Sequence, residues 1–136
     1  MIAGLAHINL LVPEGSLPEA NEFYVQTLGL AARPVPQAQV ETTAWFDIAG
    51  GPQQVHIAFG TNESMDSSRH PCFKIGSLED LQKLQQRIWD HHVRGGRAAP
   101  READKPGEAI SGEMTEEYPT RFFARDFAGN RLEFSL

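Results

Sequence analysis

Between Leu5 and Val12 the chain alternates in a two-residue period: Ile8, Leu10 and Val12 fall on one side and His7, Asn9 and Leu11 on the other. This is the pattern of a half-buried strand, and Pro13 ends it. Ser16, with Glu19 three residues later, predicts a capped helix start, and Leu17, Ala20, Phe23, Tyr24 and Leu28 follow at helical spacing up to a stop at Gly29. Val40 to Ile48 and Gln54 to Phe59 read as the two strands of a hairpin joined through Gly50, Gly51 and Pro52. From Gly60 to Arg69 the residues are small and polar and predict a linker.

The order of elements then repeats. His70 to Ile75 predicts a short strand, and Ser77 caps a helix whose apolar stripe is Leu78, Leu81, Leu84, Ile88 and Trp89, ending at Gly95 and Gly96. Ala98 to Glu117, rich in Pro, Gly, Glu and Ser, predicts a long loop of the kind that often serves as a lid. Pro119 to Arg125 and Arg131 to Leu136 predict a closing hairpin around the turn from Asp126 to Asn130. The duplication is one of element order more than of letters.

Composition narrows the function classes. A chain of 136 residues has the usual size of one domain and can bury a core without disulfides. Its 40% hydrophobic and 22% charged residues exclude a disordered tail or a fibrous protein. A net charge of −6 repels a phosphate backbone, so no nucleic-acid partner is expected. The early apolar run Leu10, Leu11, Val12 is too short to span a membrane, and no leader pattern precedes it, so a cytoplasmic protein with no membrane partner is expected. The lone Cys72, read as a small buried residue, fits a reducing compartment.

Candidate chemistry lies on the strands. His7 and His70 open the first strand of each half, while His56 and Glu133 lie in the last. Imidazole nitrogen and carboxylate oxygen are the donors that divalent Zn, Ni, Mn, Co or Fe accept. Each of His7, His56 and Glu133 alternates against the apolar set of its strand. A single strand histidine is more often a hydrogen-bonded residue than a ligand; the joint placement singles these four out. Trp45, Phe46, Phe59, Phe122 and Phe123 are candidates to line an apolar cavity, although strand aromatics more often fill a core. Arg121 and Arg125 share a strand face and suit an anionic substrate group, surface pairing being their commoner fate. His91 and His92 lie late in a helix, where the helix-end dipole and solvent explain them.

The opening Leu5-Ala-His7-Ile-Asn9-Leu, the helix Ala20-Asn-Glu-Phe23-Tyr24 with Leu28-Gly29-Leu30, and the closing stretch Arg125 to Phe134 resemble the vicinal-oxygen-chelate superfamily of glyoxalases, bleomycin-resistance proteins and dioxygenases. The resemblance covers nearly the whole chain. It implies an α+β fold of two βαβββ modules, about 1–62 and about 68–136, forming a half-open barrel within a single domain. It further implies a homodimer, a small-molecule substrate and a divalent metal held by His7, His56, His70 and Glu133 at a common point. In the lactoylglutathione lyase branch the late glutamate of the second module is ligand and proton-transfer base, a role that falls here on Glu133. The expected activity is therefore a metal-dependent lyase or isomerase, with Trp45, Phe59, Arg121 and Phe123 against the substrate.

Departures from the pattern define the alternatives. His56 stands where that lyase branch carries a carboxylate, and Phe123 stands ten residues before Glu133, where extradiol dioxygenases place a tyrosine. Asp126-Phe127 replaces the usual Asp-Pro turn. A non-catalytic binder of a drug or metabolite, like the bleomycin-resistance relatives, and ring-cleaving dioxygenase chemistry are the other readings.

Overall fold

The structure, a computed structural model, describes residues 1–62, 64–116 and 120–136. The chain forms two compact units, Met1–Glu63 and Ser64–Leu136. In the first, β1 (His7–Val12) is followed by α1 (Leu17–Asn21), a π-helical stretch (Glu22–Thr27), β2 (Ala31–Arg33), a 3-10 turn (Gln37–Gln39), β3 (Thr43–Asp47) and β4 (Gln54–Phe59). The sheet order is β1-β4-β3-β2, with β1 and β4 parallel and the other pairs antiparallel. In the second unit β5 (Cys72–Lys74), α2 (Leu78–Arg94), β6 (Glu102–Ala103), β7 (Arg121–Arg125) and β8 (Arg131–Ser135) give the order β5-β8-β7-β6 with the same directions. Each unit is thus a βαβββ module, and the α+β class expected from the sequence is the one observed.

Each sheet has an apolar face packed on its own helix. In the first unit Val55 lies opposite Phe46 on neighbouring strands, and the Phe46 ring stacks on Tyr24 at 5.6 Å. Ala20, Phe23, Tyr24, Val55 and Ile57 are fully buried there. In the second unit the Phe134 ring stacks between Phe122 at 4.8 Å and Phe73 at 5.6 Å, while Leu81, Leu84 and Ile88 of α2 are buried. Burial of such side chains, about 1.5–3 kcal/mol each, fixes which face of every strand is left for chemistry.

The first helix differs from the pattern. Past Asn21 it widens into π turns, with Leu28 N–H donating to the Phe23 carbonyl at 2.9 Å, and this brings Phe23, Tyr24 and Thr27 onto the sheet together. Ser16 does not cap it: its hydroxyl donates back to the Pro13 carbonyl at 2.5 Å, and Pro18 in the first turn removes an N–H that a cap would serve. Ser77 does cap α2, accepting from Asp80 N–H at 3.1 Å.

Strand bounds also shift. The strand predicted from Val40 begins at Thr43, after the 3-10 turn, and the one predicted from His70 begins at Cys72, because Pro71 has no N–H to give the ladder. The edge strands β2 and β6 are additions, β6 lying inside the predicted Ala98 to Glu117 loop. The far end of that loop at Glu117 and the predicted strand start at Pro119 lie outside the described residues. His91 is 1% exposed, so the solvated role expected for it is wrong, and His92 Nδ1 meets the Pro100 carbonyl at 2.8 Å. Among the described residues no helix is long and apolar enough to cross a membrane.

Candidate functional site

The two sheets carry their donors at equivalent register positions. On the first, Asn9 of β1 lies opposite His56 of β4, and Trp45 of β3 lies opposite His56 from the other side. On the second, Cys72 of β5 and Phe123 of β7 flank Glu133 of β8 in the same way. His7 stands two residues before Asn9 and His70 two before Cys72. His7 and His70 correspond, as do His56 and Glu133, and in each unit the two members of the pair touch.

In the first unit the His56 ring lies between His7, stacked at 3.9 Å, and Trp45, stacked at 4.5 Å. His56 Nε2 meets Gln54 Oε1 at 2.8 Å, Gln54 Nε2 donates to Asp47 Oδ1 at 2.7 Å, and Arg33 Nη1 donates to Asp47 Oδ2 at 3.1 Å. The Asp47 carboxylate only accepts, so Gln54 turns its NH₂ towards it and its oxygen towards His56. Nε2 of His56 is therefore the donor, and Nδ1 is the nitrogen left to accept or to ligate. Burial first, and then the neighbouring His7, hold the His56 imidazolium below the usual histidine range.

In the second unit Glu133 is held on both sides. Its Oε2 meets His70 Nε2 at 2.9 Å and its Oε1 accepts from Arg121 Nη1 at 3.1 Å, with the glutamate side chain only 8% exposed. His70 Nδ1 meets the Ser68 carbonyl at 2.6 Å. A carbonyl accepts only, so Nδ1 carries the hydrogen and a neutral ring aims its Nε2 lone pair at Glu133, which also only accepts. A proton or a divalent cation resolves two lone-pair groups facing at this distance. A carbonyl on the far ring nitrogen is also the usual support of a metal-bound histidine. The donor set thus fits a divalent metal, with His70 and Glu133 as the pair that would hold it. Among the described residues, no three or more His, Cys, Asp or Glu side chains of either unit are grouped to hold an ion by themselves.

The other sequence candidates divide by sheet face. Trp45 and Phe123 lie on the donor faces. Phe59, in alternation with His56, shares the face of Val55 and Ile57 that packs on the helix, as Phe46 does, so it is turned away from the donors; Phe122 packs likewise in the second unit. Arg121 was expected to meet a substrate anion, but one of its arms is on Glu133 and the other donates to the Glu113 carbonyl. Arg125 is buried and structural: it ties β7 to Glu102 and to the carbonyls of Gly129 and Ser67.

Sequence reasoning passed over Arg131. Its guanidinium lies 4.3 Å from the Phe123 ring centre and reaches the Ser111 carbonyl at 3.5 Å. It also lines a shallow cavity of about 50 Å³ with Phe123, Asp104 and Ser111. Alternation along β8, which puts Arg131 on the Glu133 face, is the signal that finds it.

Cys72 is exposed, contrary to the expected buried residue. Its thiol is pushed up all the same, by partial burial first, then by the charge of Glu133 and a hydrogen bond to it, with Arg121 opposing. Alkylation of Cys72 at pH 8 is expected to run several-fold slower than that of an unstructured cysteine peptide, and Glu133→Gln is expected to speed it. Equal rates in wild type and variant would show that Glu133 does not hold the thiol.

Comparison with known proteins comes to the same architecture. The family profile described as Glyoxalase/Bleomycin resistance protein/Dioxygenase superfamily matches residues 4–134. Among solved structures, a glyoxalase family protein from Bacillus anthracis aligns over 98% of this chain and 94% of its own, at 24% identity and a TM-score of 0.72. The fosfomycin resistance protein FosX from Listeria monocytogenes aligns over 99% and 91%, at 18% identity and a TM-score of 0.70. A second FosX structure, complexed with Mn(II) and sulfate, aligns over 99% and 90%, at 19% identity and 0.69. At these identities the likeness is one of fold. No curated protein matches the sequence significantly.

Proposed function

The chain belongs to the glyoxalase/bleomycin resistance protein/dioxygenase superfamily, and from that premise we propose that it is a metal-dependent enzyme acting on a small molecule, of the lyase or isomerase type. The observation that carries the reading is the His70–Glu133 pair: Nε2 and Oε2 lie 2.9 Å apart with Nδ1 held by the Ser68 carbonyl, two donors of the kind a divalent ion accepts. His7, and His56 through Nδ1, are the donors of the first unit. When bound, the metal supplies Lewis acidity to vicinal oxygens of a substrate.

The chain's own residues do the rest. Glu133 takes a proton from carbon next to a carbonyl, Arg121 holds its Oε1, and Phe123, opposite Glu133 on the same sheet, forms an apolar wall. Arg131, a cation of this face with no acidic partner among the described residues, meets an anionic substrate group. The Mn(II) in the similar FosX structure makes that ion the first to try. Phe123 directly opposite Glu133 offers no hydroxyl, so ring cleavage is not proposed. The family resemblance adds a homodimer.

Metal analysis of purified protein, with Mn(II), Zn and Ni titrations, tests this reading. About one ion per chain is expected, and His70→Ala should reduce it by more than about tenfold in affinity. No bound metal in wild type, or full metal content in His70→Ala and His7→Ala, would overturn it and leave a non-catalytic binder.

A further inference from the structure

The predicted loop contains an ordered strap. Asp104, 9% exposed, accepts from Phe123 N–H at 2.8 Å through one oxygen and from Ser111 N–H at 3.0 Å through the other, so it roots the loop on β7 at both points. Beyond that root, Ser111, Gly112 and Glu113 run across the donor face of the second sheet. Ser111 offers its carbonyl to Arg131, Gly112 lies flat on the Phe123 ring, and Glu113 offers its carbonyl to Arg121. A Cβ at position 112 would come within 2.7 Å of two ring atoms of Phe123, so only glycine lets the strap lie this close. Phe123 is itself covered by Arg131 at 4.3 Å and Arg121 at 5.3 Å.

One guanidinium therefore grips two things at once: Nη1 of Arg121 is on Glu133 Oε1 at 3.1 Å and Nη2 is on the Glu113 carbonyl. The fork is planar and rigid, so the orientation that serves one acceptor fixes the aim at the other. We propose that Arg121 is a positioning residue that couples the Ser111–Glu113 strap to the state of Glu133, so that a cation arriving on Glu133 loosens the strap. The proposal rests on the reading of Glu133 as a metal ligand. A cation on Glu133 repels the guanidinium and competes with it for the same carboxylate, which spoils the aim of Nη2. Coupling of this kind is reciprocal: lifting the strap by another route must favour the cation by the same factor.

Hydrogen exchange of the segment 107–116, read by mass spectrometry, and Mn(II) titration followed by the electron-spin signal of free Mn(II) test the coupling. In metal-free protein, Arg121→Lys, which keeps the charge and loses the fork, and Glu133→Gln, which removes the charge that orients it, should each speed strap exchange by about 3- to 10-fold. In wild type, Mn(II) should speed it likewise, and in Arg121→Lys it should have no further effect. Gly112→Ala, which lifts the strap while leaving Arg121, His70 and Glu133 in place, should bind Mn(II) about 3- to 10-fold more tightly. Strap exchange equal to wild type in both metal-free variants would overturn the proposal. So would strap exchange indifferent to bound Mn(II) together with equal Mn(II) affinity in wild type and Gly112→Ala. Should Mn(II) not bind wild type at all, the metal reading falls separately, and the metal-free variants still decide whether Arg121 links Glu133 to the strap.

Discussion

Glu133→Gln is expected to weaken divalent-metal binding by more than about 100-fold, beyond the roughly 10- to 100-fold that losing an outer partner of a ligand costs. Glutamine fills the same space between His70 and Arg121, so the hydrophobic contacts of β8 remain and the fold should survive. What changes is charge. The carboxylate carries a charge opposite to that of Arg121, whose side chain is 14% exposed beside it; with an amide there, the guanidinium faces the incoming cation without that negative charge between them. The amide must also turn one of its ends towards each neighbour, and its NH₂ suits neither the Arg121 donor nor a metal-bound histidine. Mn(II) titration together with a thermal melt checks this. A variant that melts as wild type and has lost the metal confirms the ligand; a variant that keeps full affinity but loses turnover would make Glu133 a base alone.

What was legible in the sequence follows the range over which each signal acts. The strands β1, β4, β7 and β8 carry clear alternation because one face of each is buried on a helix, and the donors could be assigned to the opposite face from letters alone. The two edge strands could not be read. β2 is three exposed residues and β6 two residues of which one is exposed, both too short for a period, and they pair with the outer edges of β3 and β7. The widening of the first helix at Glu22 was equally hidden, since it answers to the packing of Phe23 and Tyr24 on the sheet. In the site, the residue types were legible and their partners were not. Nothing in local sequence says that Ser68 pins His70, that Asp47 and Gln54 choose the His56 tautomer, or that Arg121 spends its fork on Glu133 and Glu113. Those links join positions that only tertiary structure brings together.

The turn between β7 and β8 should be where a single substitution costs most stability without touching a donor. Asp126 is fully buried; its Oδ1 accepts from Ala128 N–H and Asn130 N–H, both at 2.9 Å, and its Oδ2 accepts from Asn130 Nδ2 at 2.9 Å. That triple acceptance, with Gly129 at φ 85°, holds the tight turn although phenylalanine stands at 127 in place of the family's proline. Asp126→Ala leaves two backbone donors without their acceptor, one of them buried, and should cost about 2–4 kcal/mol. For a chain of this size, that is a fall in Tm of roughly 8–14 °C. Asp126→Asn keeps one acceptor oxygen but sets an NH₂ against a neighbouring donor, so an intermediate loss is expected. Mn(II) affinity measured well below the melt should be unchanged in both, because Glu133 is held by His70 and Arg121 and neither substitution removes those bonds. A melt of Asp126→Ala equal to wild type would mean that the two backbone bonds of the turn, Asp126 N–H to Asn130 O and Gly129 N–H to Asp126 O, each 3.0 Å, hold it without the carboxylate.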